Sequence, residues 1–222
     1  MTRVEWIKQH PSAVLFAVQI AGLLLYPLMG STSISRALFN AFGVGIVLLA
    51  LWAVRFSPGL TWVGAALAMP AGVLLALDAF FDVPALGITS SVLEACLYVY
   101  AAGCMLAYML YDADITTDEM WAVGATFTLL AWGFAHVFTV CQYVQPNSFT
   151  AAVAPEAQRT WIELLFLSVT TLTSTGLSDI VPIRPVARSL VMIEQIVGLA
   201  YVAMLVSRIV GLTMRGRTSE PK

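Results

Sequence analysis

Leu165–Pro182 reads LFLSVTTLTSTGLSDIVP, and the rest of the chain takes its meaning from this stretch. The apolar segment that leads into it, Trp161–Thr173, is too short to cross a bilayer, which takes about 20 residues. It ends in a Ser/Thr/Gly cluster. A segment of this kind reads as a re-entrant helix followed by a non-helical strand of about five residues running back out. Such backbone is tolerated at membrane depth only where protein or a water-filled cavity satisfies it. A re-entrant helix entering from outside aims its carbonyl end at the membrane centre, and that end favours a cation. The strand then offers backbone carbonyls and Ser/Thr hydroxyls, the oxygen ligands of a dehydrated alkali ion. One chain supplies one strand, so a ring of ligands implies a cyclic homo-oligomer. By itself, a Thr/Ser-rich turn with one glycine is equally compatible with a helix cap or an ordinary inter-helix loop.

Composition agrees with a membrane setting. Of 222 residues, 59% are hydrophobic and 11% charged, against about 25% charged in a typical soluble domain. The formal net charge of -2 and the lack of a Lys/Arg run leave no basic field for nucleic acid. Six apolar runs are long enough to span: Ser12–Met29, Leu38–Val54, Leu60–Phe81, Leu86–Tyr111, Met120–Tyr143 and Val186–Leu212. Turns such as Phe56–Gly59 and Asp82–Pro84 separate them. The expected fold class is therefore all-α and integral to the membrane, with six transmembrane helices plus the re-entrant helix between the fifth and sixth.

The Lys/Arg bias orients the spans. Arg3, Lys8, Arg55, Arg208, Arg215 and Arg217 share one side if both termini are cytoplasmic, whereas Arg36, Arg159 and Arg184 then lie outside. The first run, with Arg3 and Lys8 before it, also has features of a secretory signal, an alternative the charge pattern argues against. The expected location is the cell membrane, multi-pass. Cys96, Cys104 and Cys141 fall in apolar stretches, match no zinc or disulfide spacing, and are expected to be small buried hydrophobes.

With these residues in view, Leu165–Pro182 resembles the pore loop of the two-helix-plus-pore potassium channels, whose pattern is T-x-T-T-V-G-Y-G-D-x-x-P. Thr171, Thr173, Gly176, Asp179 and Pro182 match directly, and Ser174 stands where the filter threonine does. In the last span Arg188 falls on the basic residue opening the inner helix, and Gly198 on its hinge glycine, although close packing is an equal reading of that glycine. The resemblance covers about residues 120–212 and implies a homotetrameric channel. Its filter and ion-binding residues would be Thr173, Ser174, Thr175, Gly176, Leu177, Ser178 and Asp179, with monovalent cations, K+ or Na+, held at Ser174, Thr175 and Gly176. Segments 1–11, 12–115, 116–212 and 213–222 would be a cytoplasmic N-terminal segment, a peripheral four-helix domain, the pore domain and a short cytoplasmic tail.

The departures bear on selectivity. The V-G-Y-G of the family is here Thr175-Gly176-Leu177-Ser178. Leu177 cannot brace the filter by a hydrogen bond, and Ser178 replaces a glycine whose backbone conformation other residues adopt at a cost. The two inner cation sites are expected to survive and the outer two to be wider, wetter or absent, leaving K+ over Na+ discrimination open. Thr173–Ser178 also resembles the single-glycine filter loops of Trk/Ktr-type potassium transporters, which carry four loops in one chain. Ser178 and Leu177 equally suit a non-conducting membrane subunit that kept the channel fold.

Other polar residues have plainer readings. The fourth span has no Arg or Lys, only Glu94, which predicts weak or absent voltage dependence. Asp78 and Glu94 are expected at an interface or internally paired, and His136 as a hydrogen-bonded packing residue. The resemblance places Glu194 near the back of the pore helix. Thr116 and Glu119 read as a capping box opening the fifth helix. Asp112, Asp114 and Asp118 would face Arg208, Arg215 and Arg217 as loosely paired linker or as a coupling to the gate; the spacing is not that of a calcium loop. No enzyme motif is present, so no enzymatic activity is expected.

Overall fold

A computed structural model describes residues 9–26, 42, 45–46, 49, 61–81, 84–111 and 116–218. The second apolar run is almost wholly outside the described residues, as are Arg3, Lys8, Arg36, Arg55, the turn at Phe56–Gly59, Asp112 and Asp114, and the side chains of Asp78, Arg215 and Arg217. The described elements are α1 (Pro11–Leu25), α2 (Thr61–Phe81), α3 (Pro84–Leu110), α4 (Thr117–Val144), β1 (Phe149–Ala151), α5 (Trp161–Leu172), β2 (Ile180–Pro182) and α6 (Pro185–Thr218). Three stretches are long and apolar enough to cross a membrane, Ala85–Leu110, Thr117–Val144 and Pro185–Arg208, and Pro11–Leu25, Trp62–Leu74 and Trp161–Leu172 are shorter apolar helices. The chain divides into two compact units, and the line between them falls inside α4, after Val140.

The first unit is helix on helix, joined by polar contacts at regular spacing. Pro11 starts α1, where its missing N–H is no loss. The next orphan donor, Ser12 N, is met by Asp118 Oδ1 at 3.1 Å, and Ser12 Oγ donates to Oδ2 at 2.8 Å. A carboxylate at a helix N-terminus also suits the helix dipole. Further along, Phe16 packs on Trp121 with ring centroids 6.3 Å apart, and Thr128 Oγ1 donates to Gln19 Oε1 at 2.6 Å. Partner numbers rise together, so α1 and α4 run parallel.

Between α3 and α4 the order reverses. Glu94 meets His136, with Nδ1 3.3 Å from Oε2. Tyr98 stacks on His136 and meets Trp132 edge-on, at centroid distances of 5.5 and 5.8 Å. These two helices are antiparallel. The buried carboxyl–imidazole pair agrees with the packing roles expected of Glu94 and His136. Cys104 and Cys141 are buried as expected, but Cys96 is exposed. It falls on the same outward face of α3 as the exposed Val92 and Val99, so apolar surroundings in sequence did not mean burial. The Thr116 hydroxyl accepts from Glu119 N at 3.2 Å, one half of the expected capping box.

The second unit is built around α5 and α6, with β1 and β2 paired antiparallel in the register Phe149↔Pro182, Thr150↔Val181 and Ala151↔Ile180. Arg159, 5% exposed, organises the loop after β1. Its guanidinium donates to the carbonyls of Val153, Ala154 and Ala157, while the Gln142 amide clasps its backbone, accepting from Arg159 N at 3.1 Å and donating to its carbonyl at 2.8 Å. α6 buries little of its surface. Met192, Ile193, Ile196, Leu199, Val202 and Val206 are exposed along it.

Candidate functional site

α5 begins with a full capping box. Thr160 Oγ1 accepts from Glu163 N at 3.4 Å, and Glu163 Oε2 takes the Thr160 N–H at 2.6 Å. The signature Thr160-x-x-Glu163 before an apolar run was present in the sequence and marks where the helix starts. α5 lies along α6 with matching steps: Ser168 Oγ donates to the Glu194 carboxyl, and Leu172 touches α6 at Gly198. The two helices therefore run in the same direction. From the level of Leu172 and Gly198 back to Pro185 is about 20 Å at 1.5 Å per residue. Thr173–Arg184 must climb that height again. The chain thus runs down α6 with α5 and returns to the level where α6 begins.

At the bottom of the dip the helix closes with a specific cap. Thr173 has helical dihedrals (φ -80°, ψ -6°) and its N–H bonds Val169 O. Ser174 N donates to Thr171 O at 2.9 Å and Thr175 N to Thr170 O at 3.0 Å, the paired bonds of a Schellman motif. Ser174 takes the left-handed conformation this requires, with φ 59°, and Gly176 follows at φ 66°. Gly176 N adds a second bond to Thr170 O at 3.1 Å. Glycine adopts that angle freely, whereas serine pays about 1–2 kcal/mol for it.

The helix-cap reading of the Thr/Ser/Gly turn is thus realised, and its polarity matters. The cap consumes N–H donors: those of Thr173–Gly176 all turn back onto the last turn of α5. Among the described residues no hydrogen bond ends on a carbonyl of Thr173–Leu177. Free oxygens beside the negative end of a helix dipole are what a cation requires. Two hydroxyls join them, with Thr173 Oγ1 and Thr175 Oγ1 3.0 Å apart and the latter bonded to Thr170 O. Thr170 was not singled out from sequence, yet its carbonyl anchors Thr175 and Gly176; nothing in a Thr-rich helix distinguishes it before the cap forms.

Of the other residues named from the sequence, Leu177 is 79% exposed and Asp179 is exposed. The Ser178 hydroxyl accepts from Ile180 N at 3.0 Å, a local turn bond. Gly198 packs against the Leu172 carbonyl. Arg208 lies at the end of the long apolar stretch of α6. Asp118, expected to face the basic residues, has both carboxylate oxygens engaged by Ser12. Glu194 lies against α5, as expected, and is fully buried.

No curated protein and no solved structure matches the chain. The family model described as ion channel matches residues 95–215, more than half of the chain, from the middle of α3 to the end region of α6. A membrane-spanning helical chain with a dipping helix, a capped turn and a long apolar partner helix inside that match belongs to the ion channel family.

Proposed function

We propose that this protein is a passive monovalent-cation channel, permeable to potassium, assembled as a homotetramer in the cell membrane with both termini cytoplasmic. The observation that carries the reading is the turn at Thr173–Gly176, whose N–H groups are bound to α5 while its carbonyls accept no hydrogen bond among the described residues. Four such turns around an axis would replace the hydration shell of an ion with peptide oxygens and the hydroxyls of Thr173 and Thr175. The apolar face of α6, exposed in the single chain, supports further copies packing beside it. The parallel course of α1 and α4 supports the six-span count. An odd number of crossings must separate two parallel spans, and α2 and α3 are two of them.

Leu177 and Ser178 make the outer half of the path different from the inner half. Leu177 is exposed and has no side-chain group to form a hydrogen-bonded brace, and the Ser178 hydroxyl is bound locally. We assign the inner ligands to Ser174, Thr175 and Gly176, and a wide, hydrated outer mouth with Asp179 at its rim. Purified full-length protein in liposomes, given potassium or sodium gradients and a flux-reporting dye, tests this. Potassium flux from an assembly with the mass of four chains is the expected result. An intact tetramer silent under every gradient would instead establish the non-conducting subunit. A monomer that still carries flux would favour a transporter of the Trk type.

A further inference from the structure

Glu194 has an environment that packing alone does not account for. It lies in the stretch of α6 long and apolar enough to span a membrane, and it is 0% exposed. One carboxyl oxygen receives the Ser168 hydroxyl, while the other, Oε2, is buried with no hydrogen-bond partner among the described residues. An isosteric apolar side chain would avoid that penalty, because an unsatisfied buried acceptor is destabilising. An ionisable residue kept at such a position within a membrane points to function.

The contact belongs to a connected chain of interactions. Ser168 is on α5, two residues before Thr170, and Thr170 O holds Thr175 N, Gly176 N and the Thr175 hydroxyl. One helical turn along α6 from Glu194, Gly198 meets Leu172, the last residue of α5. The two contacts set the height and rotation of α5 on α6 at two points. Of the two, the Ser168–Glu194 bond alone has directional chemistry. Among the described residues, no charged group faces it from α5 or β2, the elements packed on α6. Glu163 of α5 is more than a turn away and committed to Thr160 and Arg159, and β2 has no titratable side chain.

We infer that Glu194 is a positioning residue for the ion-lining turn: through Ser168 it holds α5 in register on α6, and so fixes where the carbonyls of Ser174–Gly176 stand. This rests on the proposed cation-channel reading. The residue touches no ion and acts through α5. An effect of this kind differs from a loss of stability because it changes which ion fits the ring while leaving the assembly intact.

The test uses the full chain, with Ser168→Ala, Glu194→Ala, the double variant and Glu194→Gln. Potassium and sodium fluxes are compared in liposomes, and potassium-dependent thermal protection is measured in detergent. Ser168→Ala and Glu194→Ala are each expected to change the potassium-to-sodium flux ratio by about tenfold, the scale of one buried hydrogen bond. The double variant should be no worse than either single one, since both remove the same tie. Glu194→Gln retains an oxygen for Ser168 and should stay within about twofold of the parent. An unchanged ratio in Ser168→Ala, a mild truncation, overturns the inference while leaving the channel reading intact. So do additive effects in the double variant. Should the parent protein carry no flux, the channel reading falls and the thermal readout decides the positioning role by itself: potassium protection present in the parent and lost in Ser168→Ala upholds it, and protection absent from the parent or kept in Ser168→Ala overturns it.

Discussion

Replacing Gly198 by alanine separates two roles for this residue, a hinge in α6 and a site of close packing. A Cβ on Gly198 would sit 2.9 Å from the Leu172 carbonyl carbon and 3.0 Å from its Cα, with the carbonyl oxygen closer still. Ordinary carbon–carbon contact is about 3.5–4.0 Å, so the two helices must part by roughly 0.5–1 Å. The obstacle is backbone and cannot rotate away, which places the penalty near the upper end of the roughly 1–3 kcal/mol typical of overpacking. Alanine is favoured over glycine inside a helix by about 1 kcal/mol. The clash exceeds the propensity gain, and a net loss of about 1–2 kcal/mol per chain is expected. Because Leu172 is the last residue before the capped turn, the same shift displaces the carbonyls of Ser174–Gly176. Gly198→Ala should therefore lower the thermal unfolding midpoint in nanodiscs and weaken ion discrimination in liposome flux together. If the variant unfolds at the same or a higher temperature and differs only in how often the pore opens, close packing is the wrong account and the hinge is the right one.

Three further outcomes follow from the same geometry. Ser174→Gly removes the strain of a left-handed serine, so stability should rise by about 1 kcal/mol in thermal denaturation. Potassium flux falls if the hydroxyl is also an ion ligand; a stabilised variant with undiminished flux would remove the Ser174 hydroxyl, though not its carbonyl, from the ligand set. Asp118→Ala strips two hydrogen bonds from the start of α1, and a loss of about 1.5–3 kcal/mol is expected, read as faster proteolysis near residue 12 in detergent. Truncating Ser12 as well should add little, since both changes delete one interaction. Conductance in planar bilayers should vary only weakly with voltage, because α3 contains no Arg or Lys and each gating charge moved yields about 2.3 kcal/mol per 100 mV. A steep activation curve would refute that.

The contribution of a buried polar network can be weighed in the same way at Arg159. Its guanidinium ties three carbonyls of the loop after β1, and this loop connects α4 to the start of α5. The sequence places Arg159 outside the membrane as one of three basic residues there. Only the folded chain shows it buried and clasped by Gln142. Charge counting treats an arginine as a solvated surface group, whereas here the desolvation is compensated by carbonyls brought together in three dimensions.

What the amino-acid sequence determined alone was whatever depends on local period and length. Apolar runs gave the spanning helices α3, α4 and α6, and the shorter apolar run gave α5. The Thr/Ser/Gly cluster identified the turn, because only a few residue types close a helix in this way. Tertiary structure decided everything that depends on which helices meet and in which direction: the parallel courses of α1 with α4 and of α5 with α6, the capture of Asp118 by Ser12, the exposure of Cys96, and the burial of Glu194 against Ser168. Hydrophobicity is non-directional and says only that a face must be covered. Hydrogen bonds and close backbone approach are directional, and their partners lie far apart along the chain until folding brings them to hydrogen-bonding distance.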